Sequence, residues 1–226
     1  MPLLTEQLSS ELRDAFASTL DRPVDLRLVV SGQARTQESQ GCRSCGAAQE
    51  LIEDVVATAP ERLTLTMVDL DADPHDARAE GVTETPTLLV SEPGQPARIR
   101  YQGLPSGYEF GTVVDAIERV STSDPGITPA NAARIEGLGE PVEIMVFVTP
   151  SCPYCPAAAT LAQRLALATS NVTAVTVEAT EFPELSRRHH VSGVPRIVVN
   201  GGGSFVGAMP EDPYVSEVVR LAGHAA

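Results

Sequence analysis

Thr149-Pro150-Ser151-Cys152-Pro153-Tyr154-Cys155 follows the apolar run Val142-Glu143-Ile144-Met145-Val146-Phe147-Val148 and precedes Leu161, Leu165 and Ala168. The run reads as a buried strand, and the spacing of three or four after it buries one face of a helix. The cysteines therefore sit at a strand-to-helix turn, with Cys152 at the helix N-terminus. Unpaired backbone N–H groups and the helix dipole favour a thiolate there. Such cysteines have pKa values of roughly 3.5–7.5, against about 8.5 for a free thiol. Cys155 lies one turn along, close enough to resolve a mixed disulfide formed on Cys152. Pro153 suits the first helical turn, where a missing N–H has no helical partner.

The same pattern occurs earlier in the chain. Cys42-Arg43-Ser44-Cys45 precedes the second pair by 110 residues. Thr85-Pro86-Thr87-Leu88-Leu89-Val90 is echoed by Val194-Pro195-Arg196-Ile197-Val198-Val199, and Val24 to Val30 is echoed by Val142 to Val148. The offset is 118 between the strands opening at Val24 and Val142 but 110 at the cysteines and 109 at the prolines, so eight extra residues lie in the polar loop before Cys42. Each copy then ends on a turn with one or two residues between Gly and Pro, and a helix: Gly103-Leu104-Pro105 before Val113 to Val120, and Gly207-Ala208-Met209-Pro210 before Val215 to Leu221. A period this long is a duplicated domain and not a solenoid repeat. The join is the turn-rich 121–126, which gives units 1–121 and 122–226. Buried strands are expected at 26–30, 63–68 and 87–90, and at 144–148, 172–177 and 197–199. Alternation with helices implies an α/β fold with a helix-flanked sheet in each unit.

The 226 residues carry 16 basic and 30 acidic side chains, a net charge of −14, and every basic residue is Arg. This surface repels polyanions, which argues against nucleic-acid binding. The absence of Lys removes Schiff-base catalysis and the phosphate-loop lysine. No apolar run reaches the ~20 residues of a membrane span. The first 16 residues read as an amphipathic helix and not as a signal peptide, so a cytoplasmic chain is expected. In that compartment a CxxC pair points to redox chemistry or metal binding, and structural disulfides are rare. Structural zinc takes two close pairs separated by roughly 12–20 residues. Here 106 residues separate Cys45 from Cys152. No metal or resident cofactor is expected.

His189-His190 reads as a helical surface pair. Asp69-Leu70-Asp71-Ala72-Asp73-Pro74-His75-Asp76 lacks the Gly and terminal Glu of a calcium loop and reads as a strand exit into a helix. Gly201-Gly202-Gly203 reads as a hairpin turn. Thr128-Pro129 caps a short helix running to Leu138. Tyr154 either stacks on a substrate or packs the loop.

CxxC at a strand-to-helix turn, with Val/Thr-Pro opening a strand 41–44 residues later, resembles the thioredoxin fold. The stretch around Cys152-Pro153-Tyr154-Cys155, with Gly193-Val194-Pro195-Arg196-Ile197-Val198-Val199-Asn200-Gly201, is similar to glutaredoxins. The duplication, with Tyr101-Gln102-Gly103-Leu104-Pro105-Ser106-Gly107-Tyr108-Glu109-Phe110 and Phe205-Val206-Gly207-Ala208-Met209-Pro210-Glu211, resembles the glutaredoxin-like protein disulfide oxidoreductases. The likeness covers almost the whole chain. It implies two tandem thioredoxin-like units, each a central mixed sheet flanked by helices. It implies redox-active disulfides Cys42–Cys45 and Cys152–Cys155, with Cys42 and Cys152 as nucleophiles and Cys45 and Cys155 resolving. It implies cis bonds at Thr85-Pro86 and Val194-Pro195 that dock substrate backbone. The implied partners are protein disulfides and a flavoprotein electron donor of the thioredoxin-reductase type.

Two departures bear on mechanism. The acid that thioredoxins bury six residues before the first cysteine is matched here by Val146, so proton transfer from Cys155 needs another group or water. Arg43-Ser44 replaces a more usual aromatic-containing pair, which ranks the Cys152 site as the stronger. Competing readings are a dedicated electron carrier between a flavoprotein reductase and a peroxidase, a glutathione-dependent glutaredoxin with Arg196 holding a carboxylate, and a non-enzymatic redox-sensing module.

Overall fold

The structure is a computed structural model that describes residues 3–32, 42–72 and 81–223. Its elements in chain order are α1 (Glu6–Thr19), β1 (Val24–Val30), α2 (Cys45–Val56), β2 (Leu63–Asp69), β3 (Thr87–Ser91) and β4 (Ile99–Gln102). A 3-10 turn (Gly107–Glu109) leads into α3 (Phe110–Thr122) and α4 (Pro129–Glu136). Then follow β5 (Val142–Val148), α5 (Cys155–Ala168), β6 (Val172–Glu178), α6 (Pro183–Arg188), β7 (Arg196–Val199), β8 (Ser204–Val206) and α7 (Glu211–Ala222). All six strands expected from the repeat form, extended by at most two residues at an end. The helix expected after Asp71 and most of the inserted loop before Cys42 lie outside the described residues.

The chain divides into two compact units. The first runs to Ala97 and adds Gln102–Leu104 and Val120–Thr122; the second takes Arg98–Tyr101, Pro105–Arg119 and the chain from Ser123. In the first, β1 pairs parallel with β2 (Val24 opposite Leu63) and antiparallel with β3 (Val29 opposite Thr87). In the second, β5 pairs parallel with β6 (Val142 opposite Val172) and antiparallel with β7 (Val146 opposite Ile197), and β7 pairs with β8. The register repeats because the sequence pattern repeats. β1 and β5 are central in both copies, and Leu26, Leu28, Val29, Ile144, Val146 and Phe147 are almost fully buried. Central strands covered on both faces read as continuous apolar runs.

Local signals fix several boundaries. Thr5 caps α1 by accepting from the Leu8 N–H at 3.2 Å, and Thr128 caps α4 by accepting from Asn131. A capping side chain satisfies an N–H that the first turn leaves unpaired. α4 stops at Glu136, two residues before the expected Leu138, with Gly137 as its cap. The Gly201–Gly203 turn joins β7 to β8, and Val199 donates to the Gly203 carbonyl.

One expectation is corrected. Leu161 and Ala168 are only half-buried, and α5 buries Cys155, Ala158, Ala159, Ala162, Gln163, Leu165 and Ala166 instead. Alanines carry no side chain beyond Cβ, so this face admits close packing at little cost in side-chain entropy. No helix among the described residues is long and apolar enough to cross a membrane.

Candidate functional site

Each CxxC pair stands where a central strand turns into a helix, and each is a disulfide with Cα atoms 5.5 Å apart. Cys42 and Cys152 are 6% and 9% exposed, whereas Cys45 and Cys155 are 0% exposed. The outer cysteine of each pair is thus slightly exposed, and the inner one opens the helix and is fully buried. At the second site the turn closes through Cys152 N–H to the Thr149 carbonyl (3.1 Å), and Cys155 N–H donates back to the Cys152 carbonyl (3.4 Å). Neither Ser44 nor Tyr154, the residue before each helix, caps it with a side-chain hydrogen bond. Tyr154 projects from this turn at 69% exposure.

Thr85-Pro86 and Val194-Pro195 are both cis. The carbonyl of Pro86 accepts from Gly103 N–H and that of Pro195 from Gly207 N–H, each at 2.9 Å. The Gly of each repeated Gly-to-Pro turn therefore ties the hairpin end to the proline loop. The residue before the proline differs. The Thr85 hydroxyl pairs with Ser31 Oγ at 2.8 Å, while Val194 packs against the apolar cluster of Phe147, Phe182, Leu185 and Val198.

The sequence reading did not single out Glu109 for a role. It closes the 3-10 turn, is fully buried, and lies in an element that packs against α5. Two contacts seat this turn beside the second site. Tyr108 N–H donates to the Pro150 carbonyl at 3.0 Å, and a Cβ on Gly107 would collide with that same carbonyl. Burial raises the Glu109 pKa to about 7, although Thr112 Oγ1 donates to its Oε2 and opposes the shift. Its Oε1 has no hydrogen-bond partner among the described residues. Burial, and next the negative charge of Glu109, push the nearby Tyr101 hydroxyl well above its usual value. Val146, under the same site, is buried and apolar as the sequence implies. A buried glutamate reached through a turn 43 residues before Cys152 has no local sequence signature beyond the glycine that lets the turn approach.

The histidine expectation changes. α6 ends at Arg188, so His189 and His190 lie past the helix and not on its surface. His189 stacks on Phe147 with ring centroids 5.5 Å apart, and His190 has φ 52°. Burial, then the neighbouring Arg188, lowers the His189 pKa. Among the described residues no group of three or more His, Cys, Asp or Glu could hold a metal ion.

A family profile described as "Thioredoxin domain" matches residues 142–220. The AhpF component of alkyl hydroperoxide reductase from Staphylococcus epidermidis is 28% identical over 122 residues, covering 54% of this chain and 24% of the relative. Its counterpart from Pseudomonas aeruginosa is 21% identical over 216 residues, 96% of this chain and 37% of the relative. The chain thus spans about a quarter to a little over a third of the length of these relatives. Among solved structures, a protein disulfide oxidoreductase from Aeropyrum pernix superposes with a TM-score of 0.86 at 27% identity, covering 98% of this chain and 95% of that one. The NTD_N/C domain of alkylhydroperoxide reductase AhpF from Enterococcus faecalis gives 0.83 at 21% identity, with 95% and 99% covered.

Proposed function

We propose that this chain, a member of the thioredoxin-fold disulfide oxidoreductases, exchanges protein disulfides through both of its CxxC pairs. The observation that carries the reading is the paired exposure pattern: in each unit the outer cysteine keeps a slight exposure and the inner one is sealed at the start of a helix. In the reduced state the Cys152 thiolate attacks one sulfur of a substrate disulfide. A mixed disulfide forms and the other substrate sulfur leaves as a thiolate. Cys155 loses its proton and attacks Cys152 Sγ, which closes the enzyme disulfide and releases the second substrate thiol. Two electrons have then passed to the substrate, and an external dithiol restores them. Cys42 and Cys45 act in the same order. Thr85-Pro86 and Val194-Pro195 present backbone to the substrate, and Tyr154 contacts it beside Cys152.

Glu109 is the group we assign to the Cys155 proton. Val146 offers none, whereas Glu109 is a buried carboxyl in a turn packed on the helix that Cys155 opens. A pKa of about 7 suits a base that must both take and return a proton near neutrality.

A second reading has its own support in the hydroperoxide reductases that the chain resembles. In it the chain carries electrons from a flavoprotein disulfide reductase to one dedicated peroxidase. We place the chain in the cytoplasm, because its cysteine pairs are suited to exchange and not to stapling. Its repeat units are 1–121 and 122–226. Dithiothreitol-driven insulin reduction tests the first reading: general turnover that depends on the cysteines supports it. No turnover with insulin, but rapid oxidation of the reduced chain by one peroxidase, supports the second.

A further inference from the structure

The two repeats differ in charge where the chain approaches its cis-proline. The half from residue 122 to the end holds six arginines and ten acids, yet three of the six arginines fall within 187–196. Arg187 is paired with Glu184, whereas Arg188 is exposed at the end of α6 and His190 is exposed beyond it. Arg196 follows Pro195 directly, and its Nη2 donates to Ser204 Oγ at 2.8 Å. These groups converge. Arg196 stands opposite Phe147 in the β5–β7 register, and the His189 ring, next to Arg188 in the chain, stacks on Phe147 at the end of β5. Phe147 is five residues before Cys152. Glu178 is buried and accepts from Thr180 and Glu181. At the first site the position two before the proline is Glu84, where the second has Gly193.

A cationic patch on a chain of net charge −14 stands out, because most of the surface repels acidic partners. We propose that Arg188 and Arg196 form a cationic approach to the Cys152 site that selects protein disulfides flanked by acidic residues. This selection rests on the exchange chemistry proposed above. Exposed charges of this kind act mainly on encounter and orientation, and salt removes their effect.

The test uses the full chain carrying Cys42→Ser and Cys45→Ser, so that only the second site turns over. Two disulfide-bridged peptides of equal length, one flanked by Asp and Glu and one by Arg, are reduced with dithiothreitol as electron source. At about 10 mM salt, with a Debye length of ~30 Å, the acidic peptide is expected to show a kcat/KM about five- to tenfold higher. At about 1 M salt, with a Debye length of ~3 Å, the two converge. Arg188→Glu is expected to abolish or reverse the preference, and the milder Arg188→Gln to halve it. Equal values at low salt, or a preference that survives about 1 M salt or the Arg188→Glu change, overturn the proposal. If neither peptide is reduced, the exchange reading itself fails, and the selection with it.

Discussion

The two CxxC sites share a backbone and differ in what surrounds it. Both have a nearly sealed disulfide at a strand-to-helix turn, a cis-proline, and a glycine N–H on that proline's carbonyl. At the first site, polar contacts tie the proline loop to the end of β1 through Ser31 and Thr85. At the second, Val194 joins an apolar cluster and a buried glutamate sits in a turn clamped to Pro150. Burial raises the pKa of that glutamate, Glu109. A duplicated frame has thus kept its cysteine pair and cis-proline, while the side chains around them differ.

The largest expected effect separates the sites directly. In insulin reduction, Cys152→Ser is expected to lower turnover about tenfold or more and Cys42→Ser by less than about twofold, because among the described residues only the second site has a buried carboxyl at hand. Equal losses would remove the ranking.

Glu109→Gln sharpens the same contrast. In a chain carrying Cys42→Ser and Cys45→Ser it is expected to slow turnover about tenfold and to remove a titration near pH 7 from the rate profile. In a chain carrying Cys152→Ser and Cys155→Ser it is expected to leave the rate within about twofold. An unchanged pH profile in the first background would reassign the proton to water.

The stability of the two forms gives a second readout. The Glu109 carboxyl has a pKa of about 7 when folded against 4.5 unfolded, so the folded state holds the proton more tightly. Its contribution is complete below pH 4.5 and is lost as pH rises through about 7. Urea denaturation should show wild type losing about 3 kcal/mol relative to Glu109→Gln across that window. Parallel curves would mean that Glu109 is not desolvated.

Gly107→Ala tests the clamp. The new Cβ meets the Pro150 carbonyl at φ +60°, a conformation that side chains rarely adopt. It is expected to destabilise the chain by about 1–3 kcal/mol and to slow the second site several-fold more than the first. The smallest effect is on the other side of the comparison. Ser31→Ala leaves the Thr85 hydroxyl without its partner, costing about 1 kcal/mol, and is expected to alter only the Cys42 site.

Much of this was legible in the sequence because it depends on local rules. Continuous apolar runs placed β1 and β5, and apolar residues at helical spacing placed the helices after each cysteine pair. The two CxxC motifs, the two X-Pro segments and the Gly-to-Pro turns recur at nearly constant offsets, and the register follows from them. His189 was misplaced because helix α6 ends at Arg188, earlier than the pattern suggested, and the ring then turns onto Phe147. The alanine face of α5 was missed because pattern reading gives weight to leucine, while close packing favours the residue that stops at Cβ.

The duplicated frame and its sulfur chemistry follow from the order of residues alone. Neighbouring residues suffice to make a strand, a turn and a helix with a cysteine at its start. The setting of the carboxyl assigned to that chemistry comes instead from the folded chain. Glu109 is an ordinary glutamate in the sequence, and its high pKa comes wholly from burial in a turn that Gly107 and Tyr108 seat against Pro150. Desolvation depends on what surrounds a group in space, and no spacing along the chain encodes it.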